Sequence, residues 1–260
     1  CHCRLVRRFL DMNFNILTIF PELINNFISH GLIAKAIESN LISVNTWNPR
    51  DFSEDNNGRI DDKPFGGGKG MLFQVEPIIN TIQAIKNEHD THVLFVAPHG
   101  KLFNQNKAVH LRDNYEDLTI ICGRYEGLDK RIEDHCIDEV ISIGDYVLNG
   151  GELPALVIME ALSRLQKGFI GNEESLQDSF SEGLLEYPQY TRPEKSIYGN
   201  VPEILLSGNH EMIERWKLKE ALRLTAEKRP EMIVNKDLSD LEIELLLSLI
   251  HISEPTRRRG

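Results

Sequence analysis

Short apolar runs alternate along this chain with longer stretches whose apolar positions recur at helical spacing. The run beginning at residue 13, NFNILTIF, reads as a strand that stops at Pro21. One helix is expected next, because Leu23, Phe27, Ile28, Leu32, Ala36 and Ile37 keep close to a 3.6-residue period. Residues 42–47, 92–97, 118–122 and 139–143 repeat the strand pattern, and 74–88 and 104–114 the helical one. A further helix starts around Pro154, carried by Leu153, Leu156, Val157, Met159, Leu162 and Leu165, with Gly168 after its end. Strands alternating with helices predict an α/β domain around a mostly parallel sheet.

Glycine takes over where the apolar runs stop. The run 118–122 breaks into Gly123-Arg124-Tyr125-Glu126-Gly127, and 139–143 breaks into a loop from Gly144 through Gly150-Gly151 to Pro154. Read as adjacent strand ends, the two loops make a concave site that a ligand can approach closely through the backbone. The run 92–97 ends in Pro98-His99-Gly100-Lys101, and Gly100 is expected to line the same pocket. Residues 48–63 are polar, rich in Asp and Asn, and predict a mobile surface loop. They lead into PFGGGKGM at 64–71. A P-loop is excluded there, because Lys63 stands where its first glycine belongs and Gly70 replaces the Ser or Thr. Neither main loop is G-x-G-x-x-G, so a dinucleotide fingerprint is absent too.

Past Gly168 the composition shifts. Residues 171–186 are polar and acidic and read as an interdomain linker. Helical patterning resumes with Met212, Trp216, Leu218, Leu222 and Leu224, and a last helix over 238–250 opens on the capping-box spacing Ser239-Asp240-Leu241-Glu242. The expected organisation is a non-native extension at 1–11, an α/β domain at 12–170, the linker at 171–186, a small all-helical domain at 187–250 and a second extension at 251–260. The four cysteines, Cys1, Cys3, Cys122 and Cys136, form neither a disulfide framework nor paired zinc ligands.

Charge narrows the partners. The 260 residues carry a formal −11, which argues against coating nucleic acid by bulk electrostatics. Between residues 192 and 236, however, nine Lys and Arg face seven Asp and Glu, a local +2. With neither a spanning apolar segment nor a signal-peptide pattern, a cytoplasmic protein is expected.

The wording of the loops is more specific than their glycine content. ICGRYEGLDKR (121–131) and SIGDYVLNGGELPAL (142–156) closely resemble the S-adenosylmethionine-binding loops of bacterial tRNA (guanine-N1)-methyltransferases, a SPOUT-class family. PFGGGKGM, DSFSEGLLEYPQYTRP (178–193) and SGNHEMIERWK (207–217) resemble further segments of the same family, so the resemblance spans about 12–250. It implies a parallel sheet with a deep trefoil knot, and methyl transfer from S-adenosylmethionine to N1 of the guanosine just 3′ of the anticodon in tRNA. It also implies a homodimer with composite active sites.

The resemblance assigns Asp178 as general base and Arg164 as the arginine on the guanine. Cofactor contacts fall on Pro98, Gly100, Gly123, Tyr125, Glu126, Ile143, Gly144, Asp145, Tyr146, Val147, Leu148, Gly150, Gly151 and Pro154. Glu126 is also the candidate ligand for Mg²⁺, and Arg192, Arg215 and Lys217 are the candidates for tRNA. These types suit the chemistry: a carboxylate takes the N1 proton, a guanidinium answers charge building toward O6, and the donor needs no protein nucleophile. The alternative is a related SPOUT RNA methyltransferase acting at another nucleotide position.

Overall fold

The computed structural model describes residues 12–170, 179–180 and 183–253. The chain divides into two compact units, 1–173 and 174–260. In the first, the order is β1 (Met12–Leu17), α1 (Pro21–Ile28), α2 (Gly31–Glu38), β2 (Ile42–Trp47), a 3₁₀ turn (Pro49–Phe52), β3 (Asp61–Asp62), β4 (Leu72–Phe73), α3 (Val75–Glu88) and β5 (His92–Leu102). Then come α4 (Gln105–Asn114), β6 (Asp117–Cys122), α5 (Lys130–Cys136), β7 (Glu139–Ser142) and α6 (Glu152–Arg164).

Among the described residues, five strands form one sheet in the order β2-β1-β6-β5-β7. Every neighbouring pair in it is parallel. Side chains on a strand alternate between its faces, and the core divides accordingly. Phe14, Ile16, Leu94, Val96 and Ile120 pack on one face with Ile24, Ile33, Leu111 and Ile158 of α1, α2, α4 and α6. Leu17, Val93, Phe95 and Ile121 pack on the other with Ile78 and Ile82 of α3 and Ile132 of α5. Burying such side chains contributes about 1.5–3 kcal/mol each, and a sheet covered on both faces explains why its strands read as nearly continuous apolar runs.

Four expectations change. The single helix after Pro21 is two, α1 and α2, broken where Ser29 Oγ donates to the Asn26 carbonyl at 2.7 Å and Gly31 takes φ +70°. The stretch 48–63 is not structureless: it holds the 3₁₀ turn and β3, which pairs with β4, and it buries Ile60. A helix absent from the sequence reading, α5, is capped by Asp129, whose carboxylate accepts from the Arg131 backbone N–H at 2.9 Å. Finally, β6 and β7 are not neighbours, because β5 lies between them.

β5 is also longer than expected. Val96 and Lys101 both pair with Ile141 of β7, so residues 97–100 bulge from the ladder. A Cβ on Gly100 would lie 2.5 Å from the Ile141 nitrogen, which is why the bulge closes on glycine.

The second unit is not all-helical as expected: it contains a hairpin of β8 (Lys195–Ser196) and β9 (Gly199–Asn200), then α7 (Glu203–Leu206), α8 (His210–Lys228), α9 (Pro230–Val234) and α10 (Asp240–Ser253). Its core is small: Leu184, Ala221, Leu222 and Leu245. The capping box forms as the spacing indicated. Glu242 accepts from the Ser239 N–H at 2.8 Å and from Ser239 Oγ at 2.9 Å, while Ser239 Oγ accepts from the Glu242 N–H at 3.3 Å. α10 runs three residues beyond the boundary expected at 250, to Ser253. Residues 1–11 lie outside the described residues.

Candidate active site

Although β5 separates their strands, the two glycine loops meet. The Gly151 N–H donates to the Gly123 carbonyl at 2.8 Å, crossing from the end of β7 to the end of β6. A Cβ on Gly151 would stand 2.7 Å from the Cys122 Cα and from the Gly123 nitrogen, so no side chain fits there. On Gly123 it would come within 3.0 Å of the Phe95 ring. Gly144 takes φ +148°, and a Cβ there would run into the Tyr146 ring at 2.5 Å. Between the loops and the β5 bulge lies a cavity of about 280 Å³.

The structure brings most of the expected cofactor residues to this cavity. Pro98 lines it from the bulge; Gly123, Tyr125 and Glu126 from the first loop; Ile143, Gly144, Tyr146, Val147, Leu148, Gly150, Gly151 and Pro154 from the second. Gly100 and Asp145 are not among its walls: Gly100 closes the bulge against β7, and Asp145 is exposed beside Gly144. Phe95, His99, Arg124, Glu133, Ser142 and Asn149 also line it, although the sequence reading did not single them out as contacts. The signal was available for Arg124, Ser142 and Asn149, which lie inside the quoted loops.

Arg124 ties three strand ends together. Its guanidinium pairs with the buried Glu152 at 2.8 Å, donates to the Asn149 carbonyl at 3.3 Å and lies 4.6 Å above the Phe20 ring. Glu152 opens α6 at only 2 % exposure and accepts a further hydrogen bond from Thr18 Oγ1 at 2.8 Å. A Cβ on Gly150 would collide with the Arg124 side chain. The same neighbourhood silences Cys122: burial first, and then the Glu152 charge, push its thiol well above its ordinary pKa, against a smaller opposing effect of Arg124. A protonated buried thiol is no nucleophile.

At the other rim, Glu133 accepts from Lys130 at 2.6 Å and pairs with His99 at 3.0 Å. The Lys130 hydrogen bond, with help from His99, holds its carboxyl below the usual range and keeps it charged. Glu126 belongs to the 64–71 stretch as much as to its own loop. Its N–H donates to the Met71 carbonyl at 2.9 Å, and its side chain lies where a Cβ on Gly70 (φ +87°) would be. PFGGGKGM therefore abuts a wall of the cavity.

The remaining candidates lie elsewhere. Arg164 is the exposed last residue of α6, a 13-residue helix that puts roughly 20 Å between it and the loops at the helix start. Asp178 lies outside the described residues. In the second unit Arg192 is exposed, Arg215 pairs with Glu244 at 2.6 Å, and Lys217 pairs with Glu214 at 2.7 Å while lying 5.2 Å above the Tyr187 ring.

The sequence matches the family described as tRNA (Guanine-1)-methyltransferase TrmD over residues 12–235. The chain belongs to this family. A tRNA (guanine-N(1)-)-methyltransferase of Shewanella amazonensis is 44% identical over 238 residues, covering 90% of this chain and 95% of its own length. The corresponding proteins of Brevibacillus brevis and Staphylococcus carnosus are also 44% identical, covering 92% and 90% of this chain and 98% and 96% of their own lengths. The family is one of S-adenosylmethionine-dependent methyltransferases, and the parallel five-stranded α/β sheet is consistent with membership. Among the described residues, no helix is long and apolar enough to cross a membrane.

Proposed function

We propose that this chain transfers the methyl group of S-adenosylmethionine to N1 of the guanosine just 3′ of the anticodon in tRNA. The observation that carries the reading is the closure of two glycine loops on each other through Gly123 and Gly151, in a chain that matches the family over 12–235. The donor supplies an electrophilic methyl, so the protein needs to bind, orient and move one proton. The cavity suits it. Main chain is bare at Gly123, Gly144 and Gly151, Val147 and Leu148 offer apolar wall, and the carboxylates of Glu126 and Glu133 suit a cationic ligand.

In this reading Asp178 accepts the N1 proton and Arg164 stabilises the charge that builds toward O6. The target base must leave its stack to reach the methyl. The reading carries with it a trefoil knot in the α/β unit and a helical unit that holds tRNA. For Mg²⁺, Glu126 is the candidate ligand, yet among the described residues no group of three His, Cys, Asp or Glu side chains could hold a metal. The described residues alone do not furnish the site.

A homodimer with shared sites is supported by two features. Arg164 sits at the end of α6 remote from the cavity. Beside the start of α6, a groove between α1, α2 and α6 exposes Leu23, Phe27, Leu32 and Leu153, an apolar face suited to a second copy.

The test is methyl transfer from labelled donor to a tRNA transcript, with the modified nucleotide mapped. N1-methylguanosine 3′ of the anticodon is expected, and a methyl on another atom or position would overturn the reading. Asp178→Asn is expected to keep donor binding and lose roughly 10²–10⁴-fold in turnover. Near-normal single-turnover rates would remove Asp178 as the base.

A further inference from the structure

The long cations of α8 are largely engaged within their own unit. Arg215 and Lys217 have the partners already given, Arg223 pairs with Glu220 at 2.9 Å and Glu227 at 3.2 Å, and Lys228 pairs with Glu227 at 2.8 Å. A phosphate contacting this helix must compete with carboxylates.

The β8–β9 hairpin is built differently. Its two turn residues, Ile197 and Tyr198, are 91% and 93% exposed. Two-residue hairpin turns favour Asn, Asp and Gly, and an isoleucine and a tyrosine gain no burial there. The turn is nevertheless held in one shape. Ser196 Oγ accepts from the Tyr198 N–H at 3.1 Å and donates to the Gly199 carbonyl at 3.0 Å, with Gly199 at φ +124°. At the base of the hairpin the Val201 N–H donates to the Glu194 carbonyl at 2.9 Å. The ring of Tyr198 is thus presented to solvent on a fixed arm.

Arg192 and Lys195 stand beside that arm in sequence, with Glu194 between them. Both are exposed, and among the described residues neither makes an ion pair. An exposed aromatic ring next to cations free of ion pairs among the described residues is what single-stranded nucleic acid uses, phosphates meeting the cations and an unstacked base meeting the ring. A two-residue tip is small against the roughly 1,000 Å² that a stable protein interface needs, which favours the nucleic acid.

We propose that the Ile197–Tyr198 hairpin tip is an RNA-contacting arm on which an unpaired base of the tRNA stacks, while Arg192 and Lys195 hold adjacent phosphates. This rests on tRNA being the substrate.

The experiment measures binding of an unmodified tRNA transcript to the full chain at several salt concentrations. Tyr198→Ala is expected to weaken binding roughly 5- to 100-fold, whereas Tyr198→Phe and Tyr198→Trp stay near wild type because stacking needs the ring and not the hydroxyl. Replacing Arg192 and Lys195 by Ala should reduce the slope of log affinity against log salt by about two. Calorimetric binding of S-adenosylhomocysteine, unchanged in all variants, reports that the first unit is intact. If the wild-type chain does not bind the transcript, the tRNA reading itself fails. If the wild type binds and Tyr198→Ala binds equally well, the arm alone is refuted. Altered sedimentation of Tyr198→Ala with unchanged RNA affinity would assign the tip to a second copy of the chain and refute the arm as well.

Discussion

In the first unit the cavity is bounded by main chain, at Gly123, Gly144 and Gly151, while the second unit presents long side chains held in exposed ion pairs. A wall of backbone has no slack: a single added carbon meets Cys122 at 2.7 Å. A surface of lysines and arginines adapts, because each exposed pair contributes about 0–1 kcal/mol and can be exchanged for another. The contrast implies nearly all-or-none effects of substitution in the loops and graded effects in the helical region.

The largest effect is expected for Gly151→Trp, which should abolish binding of the donor because the indole must displace the Cys122–Gly123 backbone. Mixing this variant with Asp178→Ala chains extends the test to the shared site. If loops of one subunit meet the aspartate of the other, half of randomly reassorted dimers are mixed and each carries one intact site, so activity returns to roughly a quarter of wild type. No recovery after confirmed subunit exchange would place both halves of the site within one chain.

Glu152→Gln comes next. It leaves Arg124 facing a neutral amide, and because the carboxylate is buried but the guanidinium is partly exposed, the loss is roughly 1–3 kcal/mol rather than that of a fully buried pair. Urea unfolding followed by Trp47 in a Trp216→Phe background should show it, together with weaker S-adenosylhomocysteine binding. Unchanged values would mean that the loops hold their shape without the ion pair.

The smallest effect belongs to the capping box. Burial raises the Glu242 carboxyl, but hydrogen bonds from Ser239 and the charge of Lys236 outweigh it and leave the pKa below its ordinary 4.5. A carboxyl held lower in the folded state stabilises above its unfolded pKa, and that contribution is lost as pH falls through the folded value. Glu242→Gln should therefore cost about 0.5–2 kcal/mol at pH 7, read from Trp216, and the difference should shrink as pH falls below about 4.5. A gap independent of pH would show that the side chain acts through packing alone.

What the sequence made legible follows the same division. The glycine loops could be read because a position that admits no Cβ leaves its mark as glycine, and Gly123 and Gly151 carry it. The capping box could be read because its partners lie three residues apart. The neighbours of β6 could not, since strand order depends on how the connections cross the sheet, and no residue in either loop records that β5 lies between them. The link from Thr18 to Glu152 spans 134 residues and has no local signature. The break between α1 and α2 was written in Ser29-His30-Gly31, but apolar periodicity continues through it. Ile60 was hidden for the opposite reason, as a lone apolar residue in a polar stretch.

The bare backbone around Gly151 also bears on drug resistance. A compound filling this cavity would rest partly on peptide groups rather than on exchangeable side chains. The common escape, replacing a contact residue by a bulkier one, is closed at Gly151: the new side chain would strike Cys122 and Gly123 before it could reach the compound. Escape is open instead at the exposed side chains of the lining, among them Val147 and Tyr146, which is where resistant variants should be sought first.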